Sequence, residues 1–135
     1  MTTSTTTIAQ NSAMNSWSAT VSGGATPILT VGGSNNSQVT LPVAGDYFVQ
    51  FHMTKRSNNS GAVLQVFTGA NCLGTAHIIL GEASTSGAAV SASGIIRTIS
   101  SNTALQICQK GNQSITPSPA IAGSATGSLT VMRLN

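Results

Sequence analysis

His52, His77, Cys72, Cys108, Asp46 and Glu82 are the chain's entire side-chain stock of imidazole, thiol and carboxylate. Catalysis by paired carboxylates needs two acids held close together, and this chain has no third to recruit. A calcium cage of several carboxylates is excluded within one chain. Cys72 and Cys108 with the two histidines have the composition of a Cys2His2 zinc set, but no CxxC or HxxxH spacing supports one. Hydroxyls are abundant, with 19 Ser and 18 Thr among 135 residues. None sits in a Gly-x-Ser-x-Gly elbow, and no Gly pair carries the Lys and following helix of a phosphate loop. The expectation is a protein that is not an enzyme and that holds no metal or cofactor.

Five Lys and Arg against two acids give a formal net charge of +3 and a pI near 9.4. This balance reflects scarce acids, since charged residues are 5% of the chain, against roughly 25% in ordinary domains. Five cations make no basic stripe, so nucleic acid is not an expected partner. Apolar runs last only a few residues, far short of the ~20 of a spanning helix, so no membrane insertion is expected. Lys55 and Arg56 close a strand beside a Ser/Asn turn. They are candidates for contact with an acidic partner surface, against the plainer reading of a solvated strand end. Arg97 and Arg133 could pair with Asp46 or Glu82 of the same or a neighbouring copy. The opening Met1-Thr2-Thr3-Ser4-Thr5-Thr6-Thr7 lacks the basic and apolar regions of an export leader. Cys72 and Cys108 are therefore expected as free thiols in a reducing compartment, with one disulfide as the alternative.

The elements that must carry these residues are strands. Helix-favouring Glu, Lys and Arg are few, whereas Thr, Val, Ile, Ser and Gly dominate. Turn residues separate nine strand-like pieces: 17–21, 26–31, 38–43, 46–55, 62–68, 75–80, 88–99, 104–109 and 127–134. The turn Ser57-Asn58-Asn59-Ser60-Gly61 predicts a hairpin joining 46–55 to 62–68. Residues 1–14 offer little to bury beyond Ile8 and Met14. They are expected as a Ser/Thr-rich arm outside the fold, with Ile8 available to a neighbour or partner. Trp17 reads as an anchor for that arm, on its own domain or on a partner. Residues 15–135 form one β domain on this reading.

Within 46–55, Tyr47, Val49, Phe51 and Met53 share one face, and Phe48, Gln50, His52 and Thr54 the other. The first is a core face, and Leu64, Val66, Ile96, Leu105, Ile107, Leu129 and Val131 are expected to join it. The second is mixed and uncharged, where a solvent face would normally carry Lys, Glu or Asp. Such a face is better explained by contact with another subunit. The last strand has apolar groups on both faces, Leu129 and Val131 against Met132, and should lie centrally in a sheet covered on both sides.

The segment from Pro42 to Met53, with its Gly45-Asp46-Tyr47 opening an aromatic-alternating strand, resembles the central strand of the globular heads of complement first-component and tumour-necrosis-factor-like proteins. Ser93 to Ile99 followed by Leu105-Gln106-Ile107 resembles that family's later hairpin, and Gly127 to Met132 its last strand. The layout, over roughly residues 37–135, is also similar to the C-terminal domains of bacterial spore-surface collagen-like glycoproteins and to small trimeric phage surface proteins. The resemblance implies an antiparallel jelly-roll sandwich of about nine to ten strands in a compact homotrimer. It places the strands at 46–55, 88–99 and 127–134 in one inner sheet. Phe48, Gln50, His52, Arg97 and Met132 then become candidate interface residues. Three copies of His52 around an axis could bind a metal or an anion, against the plainer reading of a hydrogen-bonded interface histidine. There is no collagen stalk and no acidic calcium cluster, so the family's ligand-binding loops do not carry over.

Two functions compete. One is a virion structural protein, a capsid decoration or cement protein at the virion surface, stabilising a shell by protein–protein contacts. The other is a glycan- or receptor-binding head of a fibre, or of a spore- or cell-surface protein.

Overall fold

The computed structural model describes residues 2–3, 7–15, 17–18, 29–54, 62–83, 88–117 and 127–135. Among these the chain is all-β apart from one 3-10 turn at Ser34–Asn36. The strands are β1 (Thr2–Thr3), β2 (Trp17–Ser18), β3 (Thr30–Gly32), β4 (Gln38–Leu41), β5 (Gly45–Thr54), β6 (Ala62–Thr68), β7 (Thr75–Ala83), β8 (Ala89–Thr98), β9 (Thr103–Gln109) and β10 (Gly127–Arg133). They form two antiparallel five-stranded sheets. Sheet I has the order β2-β1-β10-β5-β8, and sheet II the order β3-β4-β9-β6-β7.

The alternation read from the sequence explains the layering. Tyr47, Val49, Phe51 and Met53 of β5 are all buried, as are Leu64 and Val66 of β6, Leu105 and Ile107 of β9, Ile96 of β8 and Leu129 of β10. They form one core between the sheets, with Val131 half-buried at its margin. Strand β10 lies between β1 and β5, a central place. The Gly45-Asp46-Tyr47 element is built as its residue types require. The backbone of Gly45 has a φ of 151°, and a Cβ there would meet the Asn135 carbonyl oxygen at 2.9 Å. Tyr47 buries its ring and donates its hydroxyl to the Val43 carbonyl at 2.6 Å, which satisfies the one polar atom it takes inside.

Three expectations are corrected. Strands β5 and β6 do not form a hairpin. Strand β5 pairs with β10 and β8 along its length, and β6 pairs with β7 and β9 in the other sheet. Two strands with buried apolar rows are both satisfied by facing one another across the core, and a turn signal does not decide between pairing and facing. The turn at 57–61 itself lies outside the described residues.

The described residues of the N-terminal segment, 2–3 and 7–14, are not an arm outside the fold. Thr2 and Thr3 pair with Ser128 and Gly127. Ile8 and Met14 are each 1% exposed and belong to the main core. Strand β4 pairs with β9 only over residues 103–105, which leaves the far half of β9 without a partner on that side. Residues 11–14 fill the gap: Asn11 N donates to Gln109 O, Gln109 N to Ser12 O and Met14 N to Ile107 O, at 2.8 to 2.9 Å. Further out, Ile8 and Ile115 exchange both backbone hydrogen bonds. Edge satisfaction thus recruits a segment whose composition alone is too polar to call for burial.

Cys72 and Cys108 form a disulfide and are not free thiols. Asn71 and Cys72 both adopt positive φ, near 58° and 55°. That turn folds the β6–β7 connection back over β9 and brings the two Cα atoms to 5.9 Å. The Cys72 amide is held there by the Gln106 side-chain oxygen at 2.9 Å, and Phe67 and Ala13 close over the bridge. Compartment reasoning missed this because it rests on a leader and not on geometry.

Candidate functional site

The core-facing rows of β10, β5 and β8 fix what the opposite rows present. Cross-strand register sets Phe48 between Met132 and Ile95, Gln50 between Thr130 and Ser93, and His52 between Ser128 and Ser91. One strand end of this face is apolar. Ile95 is 64% exposed and Met132 54%, with Leu134 beside them and Phe48 half-buried at the centre. The other strand end is made of hydroxyls, an amide and an imidazole.

Of the five sequence-derived interface candidates, Phe48, Gln50, His52 and Met132 lie together on this face. Arg97 closes its apolar end, paired in register with Asp46. Arg97 donates Nε to Asp46 Oδ1 at 2.7 Å and Nη2 to Oδ2 at 2.8 Å. Asn135 adds Nδ2 to Oδ2 at 3.2 Å and accepts the Asp46 amide at 2.8 Å. Hydrogen bonds from Arg97 above all hold the Asp46 carboxyl below its ordinary range, and the same bonds raise Arg97 further. Among the described residues, the one cation on the outward rows of β10, β5 and β8 is therefore neutralised within the chain, and the rest of those rows carries no charged side chain.

The partner-contact candidates fare differently. Ile8 is buried in the chain's own core and is not available to a partner. The backbone of Trp17 pairs with Thr3 in β2 at the border of sheet I. Lys55 and Arg56 lie outside the described residues.

Sequence reasoning missed Ile95 and Leu134 on this face. Ile95 was legible, because placing Ile96 in the core puts Ile95 outward. A second apolar row was missed as well. Ile78, fully exposed, and Leu80 stand on the outward side of β7, an edge strand of sheet II. Next to them in sequence, His77 is half-buried, its Nε2 2.9 Å from the Thr68 hydroxyl, and burial pushes its imidazole below the ordinary range.

Among the described residues no three of His, Cys, Asp or Glu cluster to hold a metal ion. The two cysteines are bonded to each other, so neither offers a thiolate to zinc. What the site can do is bind a complementary surface by apolar contact and neutral hydrogen bonds. Comparison with protein-family models finds no match, and comparison with curated proteins finds none either.

Proposed function

We propose that this chain is a jelly-roll subunit that trimerises through the outward face of sheet I and serves a structural role at the surface of a larger particle. The observation that carries the reading is the face itself: Phe48, Met132 and Ile95 at one end, Gln50, His52 and hydroxyls at the other, and one ion pair closed within the chain. A face so poor in charge is suited to desolvation.

The strand order supports the jelly roll. Without the short β2 and β3, the sheets read β1-β10-β5-β8 and β4-β9-β6-β7. Early and late strands alternate in each, as in two nested Greek keys. Three-fold symmetry is supported by a second feature. A cyclic trimer joins unlike patches, whereas a two-fold dimer joins a patch to itself. The chain exposes two unlike apolar patches, the face of sheet I and the Ile78–Leu80 row on β7. The Cys72–Cys108 disulfide favours a working place outside the reducing cytosol, and virion and cell surfaces both qualify. Among surface roles we favour capsid decoration, a shell-stabilising protein. The second reading, a glycan- or receptor-binding head, draws on Leu73 and Ile99, both exposed on short connections between strands.

Light scattering on the purified chain should give about three times 13.5 kDa. Phe48→Asp and, separately, Met132→Asp should yield monomers, because an unpaired charge in a desolvated contact is strongly unfavourable. A monomer that persists at high concentration in the unaltered chain would refute the trimer. Co-sedimentation with undecorated capsids, set beside a glycan array, separates the two surface roles.

A further inference from the structure

The ionisable residues on the outward row of β5 and β8 are Asp46, Arg97 and His52. Asp46 and Arg97 close on each other. His52 stands six residues further along β5, roughly 20 Å away at the rise of an extended strand. Its direct cross-strand neighbours are Ser128 and Ser91, and Gln50 precedes it on the same row. No carboxylate lies beside it on this face. Lys55 and Arg56 follow in sequence and carry only positive charge.

We infer that His52 makes the assembly acid-labile. This rests on the trimer reading above. An imidazole changes charge between about pH 5 and 8. Uncharged, His52 fits a neutral, hydroxyl-lined contact and can exchange hydrogen bonds with serines and Gln50. Protonated, it becomes a buried cation in each of three copies, with no acid on its own face to answer it. From across the contact, a second copy's sheet I brings the same three groups, of which Asp46 is already held by Arg97 and Asn135. The β7 edge brings His77, engaged with Thr68, and Glu82, the chain's only other acid. If Glu82 met His52 across the contact, acid would tighten the trimer instead.

The test is sedimentation velocity on the full chain at pH 8, 7, 6 and 5 at constant ionic strength, with circular dichroism on the same samples. The unaltered chain should pass from trimer to monomer between about pH 7 and 5 while its β spectrum is retained. Uptake of three protons on dissociation would raise the dissociation constant by up to about a thousandfold per pH unit. His52→Gln, or His52→Asn should the first fold poorly, should remain trimeric throughout. His77→Gln should dissociate as the unaltered chain does. A trimer that is unchanged or tighter at pH 5 overturns the inference and leaves the trimer reading standing, as does a His52→Gln protein that dissociates in parallel. A monomer at pH 8 overturns both.

Discussion

Asp46 and His77 both hold a proton less readily in the folded chain than in the unfolded one, the first because Arg97 hydrogen-bonds its carboxylate, the second because its imidazole is partly buried. The unfolded chain then binds more protons as the medium turns acid, so each group stabilises the fold above its unfolded value and ceases to do so as pH falls through its folded one. For His77 the loss begins near pH 6.5, the ordinary imidazole value. For Asp46 it begins near pH 4, the ordinary aspartate value, and runs lower. Thermal melting against pH should therefore fall in two limbs. In a His52→Gln background, which removes the acid-driven dissociation inferred above, His77→Gln should flatten the upper limb and Asp46→Asn the lower one. The Asp46 limb should be shallow, because the Arg97 side chain is 75% exposed and water screens the pair. A lower limb that survives Asp46→Asn would place the acid sensitivity elsewhere. Of these partners, the sequence offered Asp46 for Arg97 but equally Glu82. Only the antiparallel register of β5 with β8 decides between them.

Strands were legible where one row is apolar and the other is not, so β5, β6, β8, β9 and β10 lie close to their sequence-derived spans. Pairing partners were less legible, because alternation fixes which way a side chain points and not which strand lies beside it. The N-terminal segment was misread for a related reason. Its fitness for the fold resides in backbone groups that satisfy β9 and in two isolated side chains, Ile8 and Met14, which composition averages away. Ile8→Ala and Met14→Ala should each cost about 2–5 kcal/mol in urea unfolding, as buried large-to-small changes do. Deletion of residues 1–14 should lower the melting temperature sharply. A truncated protein that melts with the full chain would mean that the segment contributes nothing to the core. Strand β7 supplies the complementary case, a limit set by space. A Cβ on Gly81 would meet the Ser91 carbonyl oxygen at 2.9 Å and Val90 Cγ1 at 3.0 Å, so β7 approaches β8 only because that position is bare. Backbone cannot turn aside as a side chain can, and Gly81→Ala should cost about 1–3 kcal/mol.

At the scale of the molecule, the two sheets divide the work. Sheet I presents an outward face whose charged side chains, among the described residues, are the mutually paired Asp46 and Arg97, and sheet II carries the disulfide on its outward side, where Cys72 and Cys108 sit with Phe67. The face was visible in the sequence because the absence of charge on the row Phe48, Gln50, His52 is itself a signal. The disulfide was not, because its geometry arises from a left-handed turn at Asn71 and Cys72 that no residue pattern announced. This division has a measurable consequence. The bridge spans 36 residues, from the β6–β7 connection to β9. On the chain-entropy account, removing a cross-link of that span costs about 4 kcal/mol by freeing the unfolded chain. In a domain of this size that corresponds to a fall in melting temperature of roughly 10–20 °C. The Cys72→Ala, Cys108→Ala double variant should show that fall without an added reductant. Its mass in solution should match that of the unaltered chain under the same conditions, since both cysteines are buried within the chain and lie neither on the face of sheet I nor on the Ile78–Leu80 row of β7. Equal melting temperatures would show that Phe67, Gln106 and the β9 ladder hold the connection in place without the bond. A loss of assembly at temperatures where the double variant is fully folded would show instead that the bridge reaches the contact surface, and the separation of roles between the two sheets would fail.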